Sequence, residues 1–168
     1  ELHADSTRGR PEENWARRSA LSQLGNGLDA AKHHEDALSV QEAELSSQRR
    51  LGASEAQILH LQSNIAGSYK HQGWLDESLA MIHAVYSGYL RLKGEAHEHT
   101  LIAANNLAAS LRYFQRFEEI RSLMRKTIPL ARRAFGDNDE NTLRMRWNYA
   151  AALSRDTGAT LDDLTEAV

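Results

Sequence analysis

The chain of 168 residues has a net charge of −3 and the apolar and charged fractions of a soluble globular protein. It contains no cysteine, which excludes disulfides, thiol nucleophiles and zinc–thiolate sites and fits a reducing compartment. No apolar run approaches the roughly 20 residues of a membrane span, and the slightly negative charge gives no reason to expect nucleic-acid affinity. We therefore expect an intracellular, soluble protein of the cytoplasm or an organelle interior, with no targeting sequence visible.

Residues 1–11 are polar and aperiodic, and we predict that they form an extended arm. A helix follows from Glu12, weakened by two glycines because each costs about 1 kcal/mol relative to alanine. A second helix is predicted from His34 to Leu51, where Gly52 provides the stop. This pair has the pattern of a degenerate first repeat, as expected of a terminal repeat that must present a polar face to water.

One sequence unit then recurs every 42 residues. A triplet of asparagine, a larger side chain and alanine begins at Asn64, Asn106 and Asn148, and a glycine recurs at Gly94 and Gly136. A fixed period of this size is typical of stacked helical repeats, in which each unit buries its apolar face only against its neighbours. The predicted domains are the arm and an array of four repeats at about 12–52, 53–94, 95–136 and 137–168, the last one truncated.

The residue pattern of each repeat predicts two helices. In the second repeat Ser54 is placed to cap a helix over Glu55–His71, and its partner runs over Leu75–Lys93. In the third repeat a turn near Gln115 precedes a second helix that contains Pro129, which is expected to kink it or leave a carbonyl unpaired.

The fourth repeat is incomplete. Its first helix is followed by a turn at Gly158 and by a helix start at Thr160, with acidic residues in the first turn. A helix that ends at Val168 is short enough to be marginal alone, so we expect the natural protein to continue.

The order of small and aromatic residues within each unit, such as Ile65-Ala66, Tyr69 and Gly73-Trp74-Leu75, resembles the tetratricopeptide repeat. The longer period, the Asn-Leu-Ala triplet and the Gly-x-x-His-x-x-Thr motif at Gly94–Thr100 resemble the repeats of kinesin light chains; at Gly136–Thr142 aspartate replaces the histidine. This resemblance implies an all-α, right-handed superhelical solenoid of antiparallel helix pairs. Nothing in the chain resembles the coiled coil that joins kinesin light chains to the motor, so no motor role is implied.

The resemblance also implies that the first helix of each repeat lines a concave groove that binds a peptide. By register, the candidate groove residues are Asn64, Lys70, His71, Asn105, Asn106, Arg112, Tyr113, Arg144, Trp147, Asn148 and Arg155. An asparagine amide can donate to and accept from the backbone of an extended peptide, and a row of cations suits carboxylates. The predicted ligand is therefore an extended acidic peptide segment of a protein partner.

Other interpretations of these residues remain open. The asparagines could instead satisfy polar groups where helices meet, and the cations could form a solvated face. Trp147 and Tyr113 are either aromatic anchors for a ligand or packing residues between neighbouring helices. Trp74, which follows a turn glycine, is expected in the core.

No motif in the chain predicts catalysis or a cofactor. There is no glycine-rich phosphate loop, nucleophile elbow or paired-carboxylate pattern, and we expect no metal site at His97–His99 or His33–His34. The sequence therefore predicts a non-enzymatic interaction scaffold within a larger complex, with protein partners and no nucleic acid. The alternative is a structural linker subunit that contacts its partners through its convex face, its edges or its N-terminal arm.

Overall fold

This computed structural model describes residues 11–155, which form seven α-helices and no strand. The helices are α1 (Pro11–Ala30), α2 (His34–Arg50), α3 (Glu55–His71), α4 (Leu75–Lys93), α5 (Glu98–Tyr113), α6 (Phe117–Phe135) and α7 (Glu140–Leu153). The predicted all-α class and the predicted alternation of helix and short turn are confirmed. Helix α1 begins at Pro11, which the prediction had assigned to the arm; proline suits a first helical position because the N–H that it lacks would have no intrahelical partner there. The other arm residues and the helix predicted from Thr160 lie outside the described residues.

The chain divides into two compact units, and the first contains α1, α2 and α3. Helix α1 packs on α2, and α2 packs on α3. The apolar core of this unit is formed by Ala37, Leu38, Leu45, Leu59, Leu61, Ile65 and Ala66. Gly25 allows a close approach, because a Cβ there would lie 3.0 Å from the Gln41 Cγ atom of α2. The glycine that weakens α1 as a helix therefore also lets it pack closely.

The second unit contains α4 to α7. Each helix packs against the next, and α5 also packs against α7, so the first helices of two successive repeats are neighbours. The largest fully buried side chains of this unit are Val85, Leu101, Ile120, Met124, Met145, Tyr149 and Leu153. Pro129 lies on an exposed face inside α6, and the helix continues through it to Phe135.

Side-chain caps set the starts of α3, α5 and α7. Ser54 and Gln57 form a capping box at α3, as the sequence predicted for Ser54. At α5 the His97 ring accepts a hydrogen bond from the His99 N–H at 3.2 Å, and at α7 the Asp139 carboxylate accepts one from the Asn141 N–H at 2.8 Å. Aspartate can therefore replace histidine in the second copy of the inter-repeat motif because both side chains cap the helix that follows.

Two apolar side chains at helix starts are more exposed than their patterns predict. Trp74, expected in the core, is 47% exposed, because it stands at the N-cap of α4 and not within a helix face. Leu143 is equally exposed in the first turn of α7. The prediction for Trp74 was therefore wrong, and Leu143 is available for contacts outside the chain.

Candidate functional site

The structure describes all eleven candidate groove residues. Asn64, Lys70 and His71 lie on α3 in the first unit. In the second unit, Asn105, Asn106, Arg112 and Tyr113 lie on α5, and Arg144, Trp147 and Asn148 lie on α7. Arg155 follows the end of α7. The candidates of the second unit can be compared directly, because α5 and α7 pack side by side.

Two of the asparagines bind each other. The Asn148 Nδ2 atom donates to the Asn105 Oδ1 atom at 2.8 Å, and the two residues are only 5% and 6% exposed. Each amide therefore fills part of its hydrogen-bonding capacity inside the α5–α7 contact. This favours the structural interpretation for these two residues, whereas Asn106, one position along α5, is only half-buried.

One exposed patch joins the two helices. The Arg112 guanidinium lies over the Trp147 ring, 4.3 Å from its centroid, and Trp147 is 59% exposed. Leu143 and Arg144 lie four and three residues before Trp147 and so share its face of α7. We call these four residues, Arg112, Leu143, Arg144 and Trp147, the Trp147 patch. Trp147 is thus neither buried between helices nor isolated: a cation from the neighbouring repeat holds its ring on the surface.

The charges of the Trp147 patch are available to a ligand. Arg144 pairs with Glu140 at 2.6 Å, one turn earlier, but both side chains are mostly exposed. Such a surface pair contributes little stability, so Arg144 can exchange Glu140 for a ligand carboxylate at small cost. The patch therefore offers an exposed aromatic ring with the Arg112 guanidinium over it and a second cation, Arg144, on the same face of α7.

Tyr113 and Arg155, the other two candidates of the second unit, lie outside the Trp147 patch. Tyr113 is 54% exposed and adjoins Arg112 in sequence, but successive residues of a helix point in different directions. Arg155 lines a shallow cavity of about 300 Å³ beside the α5–α6 turn, together with Gln115, Arg116, Phe117 and Arg121.

In the first unit, Asn64 and Lys70 are half-buried on α3, and His71 belongs to a cluster that the sequence analysis did not predict. The Asp29 Oδ1 atom lies 2.7 Å from the His34 Nδ1 atom and 3.0 Å from the His71 Nδ1 atom. Burial by itself raises the pKa of Asp29. The hydrogen bonds from His34 and His71, together with their charge, lower the pKa by more than burial raises it. The pKa of Asp29 therefore lies below the ordinary value of 3.8.

A signal for this cluster exists in the sequence. Asp29 and His71 are 42 residues apart, which is one repeat period, and equivalent positions of successive repeats are neighbours in a stacked array. The degenerate pattern of the first repeat concealed this equivalence. No residue type alone marks Asp29, because exposed aspartates near helix ends are common.

Within the described part of the chain, none of the helices has the length and apolar character needed to cross a membrane.

Comparison with known proteins agrees with the repeat architecture. Residues 99–158 match the model of the tetratricopeptide repeat family. No curated protein matches the sequence. Among solved structures, the chain is similar to a putative kinesin light chain with nearly identical TPR-like repeats from Podosopora anserina, with 16% identity, a TM-score of 0.75, and 90% of this chain and 70% of that one covered.

Two further structures show the same fold. A single-substitution form of the Podosopora anserina protein has 15% identity and a TM-score of 0.72, with 96% of this chain and 74% of that one covered. BtubC (BKLC) from P. vanneervenii has 16% identity and a TM-score of 0.67, with 93% and 72% covered. The resemblance to kinesin-light-chain-like tetratricopeptide repeats and the solenoid fold class predicted from the sequence are therefore confirmed.

Proposed function

We propose that this tetratricopeptide repeat chain is a non-enzymatic protein-interaction module that binds an extended acidic peptide of a partner protein on the first helices of its repeats. Repeat arrays of this kind use the surface that their successive units build together. The observation that carries the proposal is the Arg112–Trp147 contact, which places a cation and an exposed aromatic ring from successive repeats on one surface.

The chemistry of the Trp147 patch favours a ligand with both an apolar side chain and carboxylates. Tryptophan and arginine are enriched among the residues that contribute most to binding, because they bury a large area and form directional hydrogen bonds. Arg112 and Arg144 can each form paired hydrogen bonds with a carboxylate. Asn106 and Tyr113 remain proposed contacts for the rest of the peptide, and Asn64, Lys70 and His71 remain proposed peptide contacts within the first unit.

The proposal is tested with the full chain and a set of fluorescein-labelled peptides that combine glutamate with leucine. A matched set carries glutamine in place of glutamate. We expect the acidic set to bind more tightly and its Kd to rise with salt, because exposed charge contacts are screened. Equal affinity for both sets would rule out the acidic ligand.

A double variant, Arg112→Ala with Trp147→Ala, tests the location. We expect Kd to increase by about tenfold or more, since the loss of two central contacts exceeds about 1.4 kcal/mol. The matched control is Arg133→Ala with Trp74→Ala, which removes an exposed arginine and an exposed tryptophan from outside the first helices. Circular dichroism of both double variants checks that they fold. If the control weakens binding as much as the double variant, the Trp147 patch is not the binding surface.

A structural linker subunit is the second candidate function. Leu90 and Leu92 on α4, a second helix, are each 39% exposed and offer an apolar contact away from the first helices. In this case Leu90→Ser with Leu92→Ser would prevent co-purification with the native partner, whereas the Arg112 and Trp147 double variant would not. The two functions therefore predict opposite results for the same pair of variants.

A further inference from the structure

The three residues Asp29, His34 and His71 converge from three different helices of the first unit. Asp29 lies in the last turn of α1, His34 begins α2 and His71 ends α3. Each provides one ligand atom, and these atoms lie within 4.8 Å of one another. Two imidazoles and one carboxylate are a donor set that Zn²⁺ and other first-row divalent metals prefer. We propose that this cluster, the Asp29 cluster, is a zinc-binding site.

Two of the three distances between ligand atoms in the cluster are close to those around a coordinated metal. Zinc lies about 2.0–2.1 Å from a histidine nitrogen and about 2.0–2.2 Å from a carboxylate oxygen, so two ligand atoms of a tetrahedral site are roughly 3.3 Å apart. The Asp29 Oδ1 atom is 2.7 and 3.0 Å from the two Nδ1 atoms. These two distances would therefore need to increase by only a few tenths of an ångström to admit the ion. Rotation of the side chains can provide an increase of this size.

The site is pre-organised by its surroundings. The side chains of Asp29 and His34 are 25% exposed and that of His71 is 40% exposed, so the ligand atoms are partly shielded and still reachable. The two imidazole rings contact each other with centroids 4.7 Å apart. The Gln72 amide donates to the His34 carbonyl oxygen at 3.0 Å and joins the end of α3 to the start of α2. The protein has therefore already ordered most of the groups that a metal would need to order.

Charge and space also suit a cation. Asp29 supplies a carboxylate, and an ionised carboxylate is the form of an aspartate side chain that binds metal. A cavity of about 380 Å³ adjoins both histidines, and its charged lining consists of Glu35, Asp36 and Lys32. With three protein ligands, a zinc ion would retain a water molecule in the fourth position, as open zinc sites do, and this cavity has room for it.

Metal binding exchanges protons in a defined way. The ion takes the place of the hydrogen that each Nδ1 atom now directs at the Asp29 carboxylate. In a neutral ring that proton moves to the Nε2 atom, and in a protonated ring one proton is released to solvent. The bound ion would link the ends of α1 and α3 to the start of α2 within the first unit.

Calorimetric titration of the chelator-treated full chain with ZnCl₂ tests the proposal. We expect one equivalent to bind, and His34→Gln, His71→Gln and Asp29→Asn each to weaken binding by tenfold or more, because each removes one of three ligands. His33→Gln is the matched control, since this neighbouring histidine is outside the cluster and its side chain is 64% exposed. We expect its affinity to remain within twofold of the original. Binding that persists unchanged in the His34 and His71 variants would overturn the proposal.

A second measurement on the unaltered chain covers the case in which a variant fails to fold. The ring nitrogens of the histidines are followed by NMR during the zinc titration. We expect the Nδ1 resonances of His34 and His71 to shift with one equivalent, and those of His33, His97 and His99 to remain unchanged. The midpoint of thermal unfolding should rise with zinc concentration, because the ion binds the folded state. Absence of a shift at His34 and His71 means that the cluster is only a hydrogen-bonded group. Peptide binding is measured separately, so either proposal can fail alone.

Discussion

Asn105 and Asn148 occupy neighbouring repeats, and the hydrogen bond between their side chains is buried between α5 and α7. A buried amide that loses its partner leaves a desolvated polar group, which costs about 1–3 kcal/mol. Removing both partners can cost much less, because no polar atom is then left unsatisfied. Substitutions at these two positions therefore test whether the asparagines stabilise the folded chain.

We predict that Asn148→Ala lowers the free energy of unfolding by about 1–3 kcal/mol, because it leaves the Asn105 oxygen without its donor. The double variant Asn105→Ala with Asn148→Ala should be less destabilised than the sum of the two single variants. Urea denaturation measures all of these, with Asn106→Ala, at the adjacent half-buried position, as the control. Equal losses for Asn148→Ala and Asn106→Ala would contradict the structural role.

At the scale of elements, the turns between the first and second helices of the repeats share one backbone device. Lys32, Gly73 and Gln115 all have a positive φ, at 64°, 81° and 55°. At the end of α5 the Gln115 N–H donates to the Arg112 carbonyl and the Arg116 N–H to the Leu111 carbonyl, both at 3.1 Å. This is the Schellman arrangement, in which a left-handed residue lets two N–H groups satisfy the last carbonyls of the helix.

Gln115 occupies this left-handed position at a cost that glycine avoids. Because a side chain in this region costs roughly 1–2 kcal/mol, we predict that Gln115→Gly raises the free energy of unfolding by about 1 kcal/mol. The reverse change, Gly73→Gln at the equivalent position one repeat earlier, should lower it by a similar amount. Thermal and urea unfolding should show changes in the free energy of unfolding of opposite sign for the two variants. If both changes had the same sign, the side chains and not the backbone conformation would control the stability of these turns.

At the scale of the whole molecule, buried Tyr89 and half-buried Tyr86 of α4 link stability to pH. Burial raises the pKa of Tyr89, and burial together with the charge of Glu95 raises that of Tyr86, above the ordinary value of 10.0. The folded chain then retains these protons at a pH where the unfolded chain releases them. By linkage, the contribution of these two tyrosines to stability is fully present below pH 10.0 and is lost as pH rises from 10.0 through their folded-state pKa values.

We predict that Tyr89→Phe makes the free energy of unfolding less sensitive to pH above 10.0, because the group that must ionise is gone. Urea denaturation on either side of pH 10.0 measures the difference. Tyr113→Phe is the control, since Tyr113 is exposed on α5. The prediction is contradicted if the alkaline loss of stability is as large in Tyr89→Phe as in the unaltered chain.

The elements were predictable because their signals are local. The Ser54 cap and the glycines at 94 and 136 each act within a few residues, and the observed helix ends agree with them. The position of Trp74 could not be predicted from local signals. Its place after a turn glycine predicts packing in the core, but its exposure depends on which side chains surround the start of α4 in the folded chain. The candidate site was predicted as a set of residues, and the contacts among them were not.

The sequence by itself determined the helices and their order, because periodicity, capping and turn residues are read directly along the chain. Only the tertiary structure decided which side chains meet. It paired Asn105 with Asn148, placed Arg112 over Trp147, and brought Asp29 to His34 and His71. Such contacts depend on the rotation and spacing of helices that are packed against each other, and a shift of one residue in either helix would separate the groups.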